Sequence, residues 1–129
     1  MQRLLLLGAS EIQLPIILRA KELGYYTIVA DYNPNAFAFK YADKKLIVST
    51  NNTTDLLKAA LEYKIDGVLT TSDQPVRSVA HICEVMKLSG PSIKSAHLCT
   101  NKFLLRQHLL NNKFLASKLL NSCFLYYKN

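Results

Sequence analysis

The chain has 129 residues, half of which are hydrophobic, and a formal net charge of +7 at neutral pH. This length suits one globular domain. No apolar run is long enough to cross a bilayer, and the N-terminal leucines lack the pattern of a signal peptide, so we expect a cytoplasmic protein that does not bind membranes. The three cysteines match no metal-ligand spacing, and their odd number argues against a disulfide framework, so we expect no metal site.

The positive charge is concentrated in the last third of the sequence. Residues 1–84 have nine basic and nine acidic side chains, whereas residues 85–129 have seven basic side chains and no acidic one. An anionic partner would be attracted to this segment, and nucleic acid is one candidate. Because the basic residues are widely spaced and belong to no recognisable reading motif, we expect no nucleic-acid partner.

The first fifteen residues are the most informative segment. Leu4–Leu7 is a continuous apolar run, which is typical of a central parallel strand that helices cover on both faces. Pro15 is tolerated only in the first turn of a helix, so the helix should begin at about Glu11 or Ile12. Gly8–Ser10 is then the turn. We expect its backbone N–H groups to be free at the helix N-terminus, where they would favour an anionic group.

Strand and helix signals alternate along the chain. Further strands are predicted at Tyr26–Ala30, Leu46–Ser49 and Gly67–Thr70. Helices are predicted from Glu11 or Ile12 to a cap at Gly24, from Thr53 or Thr54 to about Lys64, from Gln74 to Lys87, and over Ile93–Cys99 and Lys102–Leu110. Helical spacing predicts three inward faces: Ile12, Ile16, Ala20 and Leu23; Leu57, Ala60 and Leu61; and Val79, Ile82, Cys83 and Met86. The alternation predicts an α/β fold, a Rossmann-like doubly wound parallel sheet of four to five strands followed by short C-terminal helices.

In such a sheet, ligands bind outside the carboxyl ends of the strands, at the point where the strand order reverses. Three loops should meet there, Gly8–Glu11 after the first strand, Asp31–Asn33 after the second and Thr71–Asp73 after the fourth. The candidate substrate-binding residues are Gly8, Glu11, Asp31, Asn33, Thr71, Ser72 and Asp73.

A dinucleotide site is the first alternative for this edge of the sheet. Asp31 lies about where an acidic residue would bind a ribose hydroxyl. The fingerprint G-x-G-x-x-G, however, requires glycine where this chain has Ser10 and Gln13. Those glycines allow the pyrophosphate to approach the backbone and the helix to pack closely on the sheet. Because this chain lacks them, we do not expect NAD or FAD to bind.

An ordered set of short segments resembles the N-terminal, pre-ATP-grasp domain of ATP-grasp superfamily ligases. The segments are Leu7–Pro15 (LGASEIQLP), Lys21–Val29 (KELGYYTIV), Asp31–Ala36 (DYNPNA), Tyr41–Asp43 (YAD), Ile65–Val68 (IDGV) and Thr100–Phe103 (TNKF). The sequence is most similar to proteins of the carbamoyl-phosphate synthase large-subunit-like kind, and formyl-phosphate-using purine ligases are more distant. The resemblance covers residues 1 to about 110.

The resemblance implies ATP-dependent joining of a carboxylate to an amine through an acyl phosphate, with Mg²⁺ on the ATP phosphates. By motif position, Gly8 and Glu11 would contact substrate, the charge of Glu11 suiting an amine, and Asp73 would be its partner across the cleft. Lys102 sits where the family places a lysine that reaches ATP phosphate. Purely structural roles stay open: helix-dipole stabilisation for Glu11, N-capping for Asp73, turn shaping for Asp31 and Asn33, and a solvated lysine at position 102.

The domain assignment that follows is a pre-ATP-grasp domain at residues 1–100 and a linker helix with a divergent basic tail at residues 101–129. The tail is rich in Asn, Lys, Phe, Leu and Tyr, which suggests a frameshift or a truncated gene. Alternatively, it forms an amphipathic helix that docks on the domain or on a second copy of the chain, through Phe114, Leu115, Lys118, Leu119 and Ser122. ATP and Mg²⁺ are implied for the full-length family, and we expect neither to bind tightly to this chain alone.

Three functional interpretations remain open. The chain is a substrate-binding domain that is catalytically incomplete alone, a subunit of a split ligase whose ATP-grasp partner is a separate polypeptide, or a stand-alone small-molecule or nucleotide-binding module. Because the last helices are rich in apolar residues, we also expect a homodimer through residues of about 101–125.

Overall fold

The computed structural model describes residues 1–113. The backbone divides into two units, Met1–Ala96 and a second unit that begins at His97. In the part of the chain that the structure describes, no helix is long and apolar enough to cross a membrane. The predicted tail helix and about half of the predicted dimer segment lie outside the described residues, and the predicted boundary at residue 100 stays a prediction.

Four parallel strands form the sheet of the first unit. They are β1 (Arg3–Leu7), β2 (Tyr26–Asp31), β3 (Lys44–Ile47) and β4 (Gly67–Thr70), in the order β3-β2-β1-β4. The central strand β1 pairs with β2, where Leu5 lies opposite Ile28, and with β4, where Leu5 lies opposite Val68. The continuous apolar run in β1 is explained by this position, because both of its faces are covered by protein.

Helices cover both faces of the sheet. A 3₁₀ turn at Glu11–Gln13 leads into α1 (Leu14–Glu22), which packs on one face together with a 3₁₀ segment at Phe37–Tyr41. The other face is covered by α2 (Thr53–Tyr63) and α3 (Val76–Met86). Two shorter helices follow, α4 (Ile93–Cys99) and α5 (Lys102–Asn111). This arrangement confirms the predicted Rossmann-like doubly wound fold, with four strands.

Three residues predicted to face the core are instead exposed, Ile12 by 77%, Leu23 by 58% and Leu61 by 52%. The first turn is a 3₁₀ turn of three residues, so Ile12 is out of phase with the α-helix that follows. The buried positions are Ile17 and Ala20 in α1 and Leu56 and Ala60 in α2, so the predicted burial of the two alanines is confirmed. In both helices apolar side chains occupy two overlapping stripes, and the sequence does not decide which stripe meets the sheet. The predicted inward face of α3 is confirmed.

Strand β3 begins at Lys44, two residues before the predicted Leu46. The reason is an anchor at Asp43, whose N–H donates to the Thr27 carbonyl at 3.1 Å and whose carboxylate accepts from the Thr27 N–H at 2.8 Å and hydroxyl at 2.7 Å. The Lys21 ammonium also pairs with this carboxylate. Burial acts to raise the pKa of Asp43, but the hydrogen bonds from Lys21 and Thr27 and the Lys21 charge together hold that pKa below its usual range.

One helix cap differs from the prediction, and a second agrees with it. Helix α2 is capped by Asn52, whose Oδ1 accepts from the Asp55 N–H at 3.2 Å, and not by Thr53 or Thr54. The Thr53 hydroxyl lies 3.0 Å from the Ser78 hydroxyl on α3 instead. The predicted glycine cap after α1 is confirmed, because Gly24 adopts a φ of +81° and donates its N–H to the Lys21 carbonyl at 2.9 Å.

Candidate functional site

The topology places the candidate site at the carboxyl edge of the sheet. From β1 the chain passes to β2 on one side, and from β3 it crosses back to β4 on the other side of β1. The loops after β1 and β4 therefore flank the point where the strand order reverses, which is where ligands bind in this class of fold. The loop after β2 begins at the same edge, because all four strands are parallel.

The N–H groups of the turn Gly8–Ser10 are already hydrogen-bonded within the protein. The Gly8 N–H donates to the Ala30 carbonyl at 2.8 Å, the Ala9 N–H to Asp31 Oδ2 at 2.9 Å, and the Ser10 N–H to Gln13 Oε1 at 3.1 Å. The prediction that these N–H groups are free to bind an anion is therefore wrong. The sequence did not show this, because two of the three acceptors, Ala30 and Asp31, come from β2.

Asp31 and Asn33 organise the loop after β2. Asp31 is half-buried, and its carboxylate accepts from Ala9 through Oδ2 and from the Asn33 N–H through Oδ1, at 2.9 Å each. Asn33 Oδ1 accepts from the Asn35 N–H at 3.0 Å. Both residues thus have the turn-shaping role left open by the sequence. Asp31 in addition holds the first and second loops together, which fixes the direction of its carboxylate at this edge.

Gln13 connects the first loop to the loop after β4, and the sequence analysis did not assign it to the site. Its side chain is only 5% exposed. Nε2 donates to the Ser72 hydroxyl at 2.9 Å and to the Thr71 hydroxyl at 3.3 Å, while Oε1 accepts from Ser10. A signal was present in the sequence, because Ser10 and Gln13 match the S-x-x-Q pattern of a capping box.

The predicted carboxylate pair, Glu11 and Asp73, lies in these two connected loops. Each follows directly after a residue that Gln13 binds, Ser10 in one loop and Ser72 in the other, and both side chains are exposed. Helix α3 has no side-chain cap, so the alternative of Asp73 as an N-cap is wrong. Neither carboxylate forms a hydrogen bond or ion pair with another of residues 1–113, whereas Glu11 does lie in a first helical turn.

Lys102 is the first residue of α5, in the second unit of the chain, and its side chain is exposed. The preceding residue, Asn101, caps the helix by accepting from the N–H groups of Phe103 and Leu104 at 3.1 Å each. The predicted contact of Lys102 with ATP phosphate stays a prediction.

Two cavities lie at the opposite edge of the sheet, where the strands begin. One of about 340 Å³ is lined by Arg3, Leu4, Ile16, Gly67 and neighbouring side chains, and one of about 540 Å³ by Met1, Arg3, Tyr26, Glu62 and Tyr63. None of the predicted site residues lines either cavity. Among residues 1–113, no group of three or more His, Cys, Asp or Glu side chains is placed to hold a metal ion.

No protein-family model and no curated protein sequence matches this chain. Solved structures do match it. Phosphoribosylglycinamide synthetase from Anaerococcus prevotii is 28% identical with a TM-score of 0.77, over 85% of this chain and 28% of the enzyme. N5-carboxyaminoimidazole ribonucleotide synthetase from Thermotoga maritima is 20% identical with a TM-score of 0.71, over 87% of this chain and 31% of the enzyme.

A third similar structure is the biotin carboxylase domain of a single-chain bacterial carboxylase, 19% identical with a TM-score of 0.67, over 86% of this chain and 29% of that one. The chain thus spans about a third or less of each of these structures. All three are ATP-grasp superfamily ligases. In agreement with the sequence resemblance, the chain has the fold of the N-terminal, pre-ATP-grasp domain of ATP-grasp superfamily ligases.

Proposed function

We propose that this chain is the N-terminal, substrate-binding domain of a carbamoyl-phosphate synthase-like ligase that joins a carboxylate to an amine through an acyl phosphate. The observation that carries the proposal is the placement of Glu11, Asp31 and Asp73. These three carboxylates lie at or just after the carboxyl ends of three parallel strands, at the edge where such folds bind ligands. The structural likeness to ligases supports the reaction class, and the substrate is part of the proposal.

The chemistry of the three carboxylates suits an amine substrate. An amine that arrives as ammonium donates charge-assisted hydrogen bonds, which are about twice as strong as neutral ones. Glu11 and Asp73 are exposed, and their carboxylates have no hydrogen-bond partner within residues 1–113, so the carboxylate oxygens are available to such a group. Asp31 is held in place by the N–H groups of Ala9 and Asn33. The domain would thus hold and orient the amine nucleophile, while the carboxylate substrate is activated outside this domain.

We assign ATP and Mg²⁺ to an ATP-grasp module, with Lys102 as the one proposed contact from this chain. The N–H groups of Gly8, Ala9 and Ser10, which could otherwise donate to a phosphate, are bonded within the protein, and this supports the assignment. That module would be either further sequence of the same protein or the separate polypeptide of a split ligase.

The first experiment tests catalytic incompleteness. We expect the purified chain to release no ADP from ATP in the presence of Mg²⁺, with or without amine and carboxylate substrates, in a coupled-enzyme assay. ATP turnover that disappears in Lys102→Ala would contradict the proposal, because the chain would then contain the catalytic machinery.

The second experiment tests the amine site. Glycinamide is the amine probe, acetamide is its match without the amine, and binding is followed by backbone NMR shifts of the chain. Glu11→Gln and Asp73→Asn should each weaken glycinamide binding by about tenfold to a hundredfold, the effect of losing one charge-assisted hydrogen bond. Glu62→Gln is the matched control, because Glu62 is exposed and lines a cavity at the opposite edge. Equal effects of all three substitutions would refute the assignment.

A further inference from the structure

We propose that Gln13 determines the specificity of this site, because its side-chain amide fills the position at the first loop that a phosphate group would need. The inference rests on the proposed function and refines the substrate class. The part of the substrate held at this edge is a hydrogen-bond donor such as an amine, and phosphate groups are excluded.

The hydrogen bonds of Gln13 support this assignment. A primary amide has two donor hydrogens and two acceptor lone pairs, and all four are used here. Oε1 accepts from the Ser10 N–H at 3.1 Å and from the Ser10 hydroxyl, and Nε2 donates to the hydroxyls of Ser72 and Thr71 at 2.9 and 3.3 Å. Every partner is an N–H or a hydroxyl, and each of these groups can donate to a phosphate oxygen. The amide thus occupies the centre of four potential phosphate contacts.

Gly8 shows that the Gln13 side chain lies where a ligand would approach the loop. Gly8 has a φ of +107°, and a Cβ built on it would be 3.0 Å from Gln13 Cδ and 3.1 Å from Cγ. In phosphate-binding turns of related architecture, glycine allows the ligand to approach the backbone closely. Here it allows a side chain of the same protein to do so. The space in front of the first loop is therefore already filled.

The surroundings of Gln13 disfavour an anion as well. The N–H groups of Gly8 and Ala9, which precede Ser10 in the turn, are bonded to Ala30 and Asp31. Glu11 and Asp73 follow the two residues that Gln13 connects, so negative charge flanks the position. For an ammonium group the same charges are favourable. The Gln13 amide and the two carboxylates thus both act against a phosphate group at this position.

The test uses inorganic phosphate as the probe and follows the Ser10 backbone amide by NMR. The wild-type chain should show no saturable phosphate shift at Ser10. Gln13→Ala should expose the Ser10 N–H and the hydroxyls, and should bind phosphate at least about tenfold more tightly than the wild type, as expected for one newly available hydrogen bond to a charged group. Gln13→Glu keeps the side-chain length and adds a negative charge, so it should exclude phosphate as the wild type does.

Gln74→Ala is the matched control, since Gln74 is an exposed glutamine in the segment after β4 and makes no hydrogen bond within residues 1–113. It should behave as the wild type. Saturable phosphate binding at Ser10 in the wild type would overturn the proposal. A Gln13→Ala chain with native amide dispersion and no gain in phosphate binding would also overturn it. Both results are independent of glycinamide binding, so this inference can fail while the proposed function stands.

Discussion

Replacing Gly8 by alanine tests the contact on which the architecture of the site depends. Gly8 and Gly24 both have positive φ, +107° and +81°, so alanine is strained at either position. Their surroundings differ, because a Cβ at Gly8 would meet Gln13 Cδ at 3.0 Å, whereas a Cβ at Gly24 has nothing within 4 Å. Gly24→Ala therefore measures the cost of the backbone conformation alone, and Gly8→Ala measures that cost together with displacement of Gln13.

The expected magnitudes follow from these two terms. A non-glycine residue in a sparsely populated backbone conformation costs about 1–3 kcal/mol, which applies to both variants. Displacing the Gln13 amide from its partners adds about 1–3 kcal/mol for Gly8→Ala only. Gln13→Ala alone should cost a similar about 1–3 kcal/mol. In the double variant that loss is counted once, so the double variant should be more stable than the sum of the single effects predicts, by about 1–3 kcal/mol.

Urea unfolding followed by far-ultraviolet circular dichroism measures these free energies, provided that the m-value stays unchanged. Equal destabilisation by Gly8→Ala and Gly24→Ala would refute the reasoning. Strict additivity of Gly8→Ala and Gln13→Ala would refute it as well, because it would mean that the Gln13 side chain does not lie against Gly8.

Three further predictions concern the core, an ion pair and association. Leu56→Ala should cost about 2–5 kcal/mol of unfolding free energy, because Leu56 is fully buried. Leu61→Ala should change the unfolding free energy by no more than about 0.5 kcal/mol. Similar losses for the two variants in urea unfolding would contradict the observed burial of Leu56 rather than Leu61 in α2. Because the folded-state pKa of Asp43 is lowered, the ionised carboxylate stabilises the fold at pH values above the usual aspartate pKa. This stabilisation is lost as the pH falls through the folded-state pKa. Asp43→Asn should therefore be less stable than the wild type at neutral pH and lose less stability on acidification, which urea unfolding at several pH values would show. Phe103 is 52% exposed on α5, so Phe103→Asp should weaken self-association in sedimentation at micromolar concentration if the dimer forms through the C-terminal helices, and an unchanged mass would count against that interface.

The sequence by itself determined the order and type of the elements and the edge of the sheet at which Glu11, Asp31 and Asp73 lie. The run Leu4–Leu7, the break at Gly8 and the position of Pro15 depend on local geometry, which neighbouring residues fix. The ends of parallel strands must share an edge, so placing Glu11 and Asp73 in neighbouring loops required only the strand order of this fold class. These predictions succeeded because chain connectivity and backbone sterics act over a few residues.

The tertiary structure alone decided which groups at that edge are already engaged. The bond from Ala9 to Asp31 joins residues 22 positions apart, and the bond from Gln13 to Ser72 joins residues 59 apart. It also decided that Leu56, and not Leu61, is buried. A hydrogen bond or a packed face depends on the position of both partners in space, and local pattern specifies only one of them. For that reason the expectation of a free anion-binding turn was wrong, and the residue that fills this turn, Gln13, became apparent only in the folded chain.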